Sequence, residues 1–134
     1  MEAIKKITDL LLALKLLAHQ AHLLSVSHAD HLLAERIESD LDDNIDTLKE
    51  ISLYCYDDDS IASCALTSQS VFNILHDIKT DISIEQAFSY ILEVIDEIIL
   101  ECSKETEHPP LNTALGDTAR DMARKGYLVK QRLK

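Results

Sequence analysis

Residues 31–54 read HLLAERIESDLDDNIDTLKEISLY, and the architecture of the chain turns on them. Leu33, Ile37, Leu41, Ile45 and Leu48 recur at three- and four-residue spacing, the period of a helix with one apolar face. The spacing predicts one unbroken helix over 31–54. Asp30 is a reasonable N-cap for it, and Asp57-Asp58-Asp59-Ser60 stops it.

Upstream, residues 2–24 read as a first helix. Ile7, Leu10, Leu14, Leu17, Ala21 and Leu24 share one face, while Leu12, Leu16 and Leu23 form a second apolar stripe. A helix apolar on two sides is buried on two sides, which in so short a chain points to another subunit. Downstream, a shorter helix is expected over 61–79, around Val71, Ile74 and Leu75. A third long helix follows over 83–106, capped by Asp81 or Ser83, with Glu85 or Gln86 near a capping-box position. Pro109-Pro110 ends that region, and a fourth helix runs over 111–132. The expected fold is all-α: a four-helix bundle with a short extra helix between the second and third long helices, one domain over 1–134.

Composition agrees. The chain has 134 residues, two Gly, two Pro and no Trp, so the turn-rich all-β folds are excluded. Its net charge of −11 makes it a poor default partner for nucleic acid or anionic membrane and a plausible host for cations. The balance is uneven: residues 112–134 carry +4, leaving −15 for 1–111. The basic stretch reads as a solvated last helix or, alternatively, a weak polyanion contact. Cys55, Cys64 and Cys102 are odd in number and lack CxxC spacing, so reduced thiols in a reducing compartment are expected. The start Met-Glu-Ala-Ile-Lys-Lys does not read as a signal peptide, and the run Leu10–Leu17, broken by Lys15, is too short to span a bilayer. A cytoplasmic protein with no membrane partner is expected.

The chemistry lies between His19 and Glu50. His31 and Glu35 are four residues apart, as are Asp46 and Glu50, and an i,i+4 pair can grip one ion from two sides. On a straight helix these four groups cover an arc of about 100°, centred about 145° from the core stripe, so they point away from the bundle. Glu35 and Asp46 are eleven residues apart, about 16 Å at 1.5 Å per residue, too far for one helix to bring both to one ion. The pairs 31/50 and 35/46 nevertheless share the midpoint 40.5. A two-fold axis near 40–41 would set His31 and Glu35 of one copy against the acids of another, giving two equivalent sites per dimer. His19 or His22, at the end of the first helix, could add a second imidazole. Imidazole with several carboxylates suits iron, manganese or zinc.

Gln20-Ala21-His22, His31-Leu32-Leu33-Ala34-Glu35 and Asp46-Thr47-Leu48-Lys49-Glu50 together resemble the ferroxidase motif of the Dps miniferritins, ferritin-like subunits that assemble as dodecamers. The resemblance is close over 19–50 and loose elsewhere. Glu35 stands where that family usually has Asp, and Leu23 where it has Trp. His19 keeps the family's interval to His31, whereas His22 keeps the Gln-Ala-His context; His22 is preferred and His19 stays a candidate, and His28, on the same arc as His31, reads as a spare ligand or an entry-path residue. The resemblance implies a ferritin-like fold and a ferroxidase site of His22, His31 and Glu35 with Asp46 and Glu50 from a two-fold partner. It implies Fe(II) oxidised by hydrogen peroxide or oxygen, and Fe(III) stored inside a dodecameric shell. DNA binding is not expected, because Lys5 and Lys6 already lie in the first helix. The competing reading is a non-catalytic helical bundle that binds a protein partner and has a weak or lost metal site. Glu105 and His108 are read as a chance Glu-x-x-His, and Glu93, Asp96, Glu97 and Glu101 as solvated surface or cavity lining rather than a second site.

Overall fold

The computed structural model describes residues 1–63, 69–76, 81–105 and 107–134. All regular structure among them is helical: α1 (Glu2–Leu24), α2 (His28–Glu38), α3 (Leu41–Cys55), a 3₁₀ turn (Asp59–Ser63), α4 (Gln69–His76), α5 (Ile84–Cys102) and α6 (Pro109–Leu133). The apolar stripes meet in one core. Ile7, Leu10, Leu14 and Leu17 of α1, Ile37, Leu41 and Leu48 of α2–α3, Ile91 and Ile98 of α5, and Met122 and Val129 of α6 are all buried. α1 packs chiefly on α5, α5 on α6, and the α2–α3 arm lies between α1 and α6, closing a bundle.

The second long helix is not continuous. It ends at Glu38 and restarts at Leu41, and Asp40 between them adopts the left-handed conformation, φ 65° and ψ 2°. No Gly or Pro marks the break. It is held from α6: Lys125, 1% exposed, donates from Nζ to the Ser39 carbonyl oxygen at 2.6 Å. Lys125 also pairs with Asp121 at 3.1 Å. Asn44, in the first turn of α3, donates to Asp121 at 3.4 Å. Burial pulls the Lys125 ammonium below its ordinary value, and the Asp121 carboxylate opposes that shift.

Other boundaries shift for local reasons. Ser27, not Asp30, is the N-cap of α2, its hydroxyl accepting from the Asp30 N–H at 3.1 Å. Asp30 lies inside the first turn and is buried, its carboxylate held by Arg132 of α6. Pro109 and Pro110 open α6 instead of merely ending what precedes it, since a first helical turn needs no N–H from them. α5 stops at Cys102, short of 106, and of the alternatives open at its start Ser83 is the cap and Gln86 completes the capping box. Of the expected 61–79 helix, 69–76 is helical and 61–63 belongs to the 3₁₀ turn; 64–68 and 77–80, with Cys64, lie outside the described residues. Cys55 and Cys102 are free thiols, and burial pushes that of Cys102 up to about 11.

The second stripe of α1 stays open in the single chain. Leu12 is half-buried, Leu16 is 46% exposed and Leu23 71% exposed. α1 is also long and apolar enough to cross a membrane by length and composition alone, although more than half of that stretch is buried in the bundle.

Candidate metal centre

The site forms where α1 turns back into α2. α1 ends at Leu24, residues 25–27 make the link, and α2 begins at His28. The link sets the last turn of α1 beside the first turn of α2. His22 and His31 consequently face each other, with ring centroids 3.9 Å apart and planes tilted by 44°. Glu35, one turn further along α2, places Oε1 3.3 Å from His31 Nε2. One donor atom from each of His22, His31 and Glu35 lies within 4.8 Å of the other two. A first-row divalent ion sits about 2 Å from each ligand atom, so donors this close can share one ion with small rotamer adjustments.

Within the triad, His22 is the residue that lacks a partner. Its Nδ1 is buried and has no hydrogen-bond partner. A buried ring nitrogen left so costs free energy unless something else satisfies it. His22 and His31 are half-buried and Glu35 is exposed, so the triad is walled on the protein side and open outward.

The remaining candidates lie outside this triad. His19, one turn before His22, is exposed; its ring stacks parallel to that of His22 with centroids 6.2 Å apart. His28 is the exposed first residue of α2. Asp46 and Glu50 are exposed on α3, beyond the break at Asp40, and do not join the triad in this chain. The straight 31–54 rod, with its interval of about 16 Å between Glu35 and Asp46, is therefore replaced by two segments that meet at residues 39–40. Glu93, Asp96 and Glu97 are exposed along α5, as expected of solvated surface, whereas Glu101 is half-buried and accepts from Lys104 Nζ at 2.7 Å.

Glu105 and His108 do have a structural role. Glu105 is buried and accepts from the Tyr56 hydroxyl and, at 2.8 Å, from the Glu107 N–H. Burial favours the neutral acid, but these hydrogen bonds outweigh it and hold the carboxyl below its ordinary value. The same bond to Glu105 pushes the Tyr56 phenol up to about 12. The rings of Tyr56 and His108 meet edge to face, centroids 4.5 Å apart. This cluster ties the end of α3 to the loop before α6.

Sequence reasoning missed Arg132 and Lys125 as partners of the α2 segment. Both belong to a basic stretch whose composition resembles a solvated helix, and only the burial of Lys125 and the long-range bonds of both set them apart. No family model, curated protein or solved structure matches the chain.

Proposed function

We propose that this chain is a ferritin-like, Dps-like iron-oxidising and iron-storing protein. The observation that carries the reading is the convergence of His22, His31 and Glu35 from two helices, with the buried Nδ1 of His22 left unpartnered. Two imidazoles and one carboxylate with further positions open form a donor set suited to non-haem Fe(II); manganese and zinc are the competing ions. Fe(II) is the substrate here. Two Fe(II) ions give up one electron each, and hydrogen peroxide takes both with two protons and leaves as two waters. Oxygen is the alternative oxidant. Hard carboxylate oxygens favour the Fe(III) product, and a −11 chain attracts the incoming cation.

A second copy completes the site in this reading. The exposed Leu16 and Leu23 lie on the outer stripe of α1, and exposed apolar residues in such a row suit a subunit contact. A two-fold axis through the break at 39–40 faces α2 of one copy with α3 of the other. Asp46 and Glu50, free of the triad in one chain, then supply carboxylates to the partner's His31 and Glu35, and repetition of such dimers gives a dodecameric shell. The same exposed stripe favours one rival, a non-catalytic bundle that docks a different protein. Stopped-flow Fe(II) oxidation separates them. His31→Ala abolishes the rapid phase while the circular dichroism spectrum stays helical; an unchanged rate in this variant refutes the site.

A further inference from the structure

Two of the three donors, His31 and Glu35, ride on α2, an eleven-residue helix. It joins α1 through residues 25–27 and is cut from α3 by the left-handed Asp40. The distance from His22 to the other two donors thus depends on what holds α2 in place. α2 packs on α1 and buries Ala34 and Ile37 in the core, an apolar contact that leaves its ends to be fixed by polar groups. α6 grips it at both ends.

At the N-terminal end, Arg132 makes a two-pronged contact with Asp30, the residue just before His31. Nε donates to Oδ1 at 2.6 Å and Nη2 to Oδ2 at 3.1 Å. The guanidinium is itself fixed, donating to Glu85 of α5 at 3.0 Å and lying 5.6 Å over the Phe88 ring. At the C-terminal end, Lys125 donates to the Ser39 carbonyl. Arg132 and Lys125 are seven residues apart, two turns of one face of α6, or about 10.5 Å of axis. Asp30 and Ser39 are nine residues apart, about 13.5 Å if the helical rise is continued to Ser39. The flexible Lys125 side chain spans the difference. The later α6 residue meets the earlier α2 residue, so the two helices run antiparallel and the pair of contacts fixes both the height and the register of α2.

We infer that α6 is the template of the metal centre, with Arg132 and Lys125 as positioning residues that set the His22–His31–Glu35 spacing without touching the ion. The functional meaning of this role rests on the metal-centre reading, but its geometric content concerns the metal-free chain. Outer-shell groups that orient ligands commonly alter metal affinity about ten- to a hundredfold.

The test pairs two readouts on the full chain. The first is the nuclear Overhauser effect between the His22 and His31 rings in metal-free protein. The second is Co(II) titration followed by its visible absorption. Arg132→Gln and Lys125→Met are expected to abolish the Overhauser effect between the rings and to weaken Co(II) binding at least about tenfold. Arg132→Lys keeps the charge and one prong, folds, and falls between. Arg120→Gln removes an equal charge from an exposed site on the same helix and changes neither readout. Should the Arg132 and Lys125 variants melt earlier yet keep the Overhauser effect and the Co(II) affinity, their role is only structural and the inference is wrong. A wild type that binds no Co(II), combined with rings that separate in Arg132→Gln, overturns the metal reading and leaves the positioning intact.

Discussion

Asp40 offers a test in which two accounts of the second helix predict opposite signs. At φ 65° its Cβ crowds the following carbonyl, a conformation that costs an ordinary residue about 1–2 kcal/mol and Asp somewhat less. Glycine escapes that cost but loses about 0.5–1 kcal/mol more chain entropy on folding. Asp40→Gly and Asp40→Ala both remove a carboxylate that supports the Lys125 charge, so that loss cancels when the two are compared. The break therefore predicts Asp40→Gly more stable than Asp40→Ala by about 1 kcal/mol, a melting gap of about 2–5 °C for a chain of this size. An uninterrupted helix predicts the reverse, because alanine in a helix interior outranks glycine by about 1 kcal/mol. Urea unfolding of the two variants decides it. Alanine more stable than glycine refutes the break and the separate positioning of α2 that depends on it.

Three further expectations follow from the same geometry. His22→Ala removes the rapid Fe(II) oxidation phase, whereas His19→Ala leaves most of it intact; equal effects contradict the assignment of the first-helix ligand. Leu16→Glu with Leu23→Glu places charge on the open stripe of α1, so analytical ultracentrifugation should find monomer where the wild type forms dimers or larger species, and an unchanged sedimentation coefficient would place the subunit contact elsewhere. Tyr56→Phe alters the alkaline limb of stability. The phenol, held up to about 12 by Glu105, favours the fold fully below about pH 10 and loses that contribution as pH rises through its folded value. The variant's melting temperature should therefore fall less steeply between about pH 10 and about 12, and an identical slope would remove Tyr56 from the account.

Much of this architecture is legible in local pattern. The stripe of α1 through Ile7, Leu10, Leu14 and Leu17 and the Ser83–Gln86 cap of α5 sit where periodicity and capping chemistry put them. The break at 39–40 is not legible, because Ile37, Leu41 and Ile45 keep helical spacing straight across it. What stabilises the interruption is a lysine 86 residues away that satisfies the Ser39 carbonyl, a tertiary contact with no local signature. Pro109-Pro110 carries two meanings, stop and start, and the second is the one that applies. The His31–Glu35 pair follows from the helix repeat alone. The third donor does not: His19 and His22 are one turn apart, and only the packing of α1 on α2 brings His22 into the triad and leaves His19 stacked outside it.

The central claim is that one metal ion sits among His22, His31 and Glu35. Diffraction at the iron absorption edge, from crystals of the protein loaded anaerobically with Fe(II), measures this directly. The account predicts an anomalous peak about 2 Å from a nitrogen of each histidine and from a Glu35 oxygen. A peak elsewhere, or none at the triad in fully loaded crystals, contradicts it.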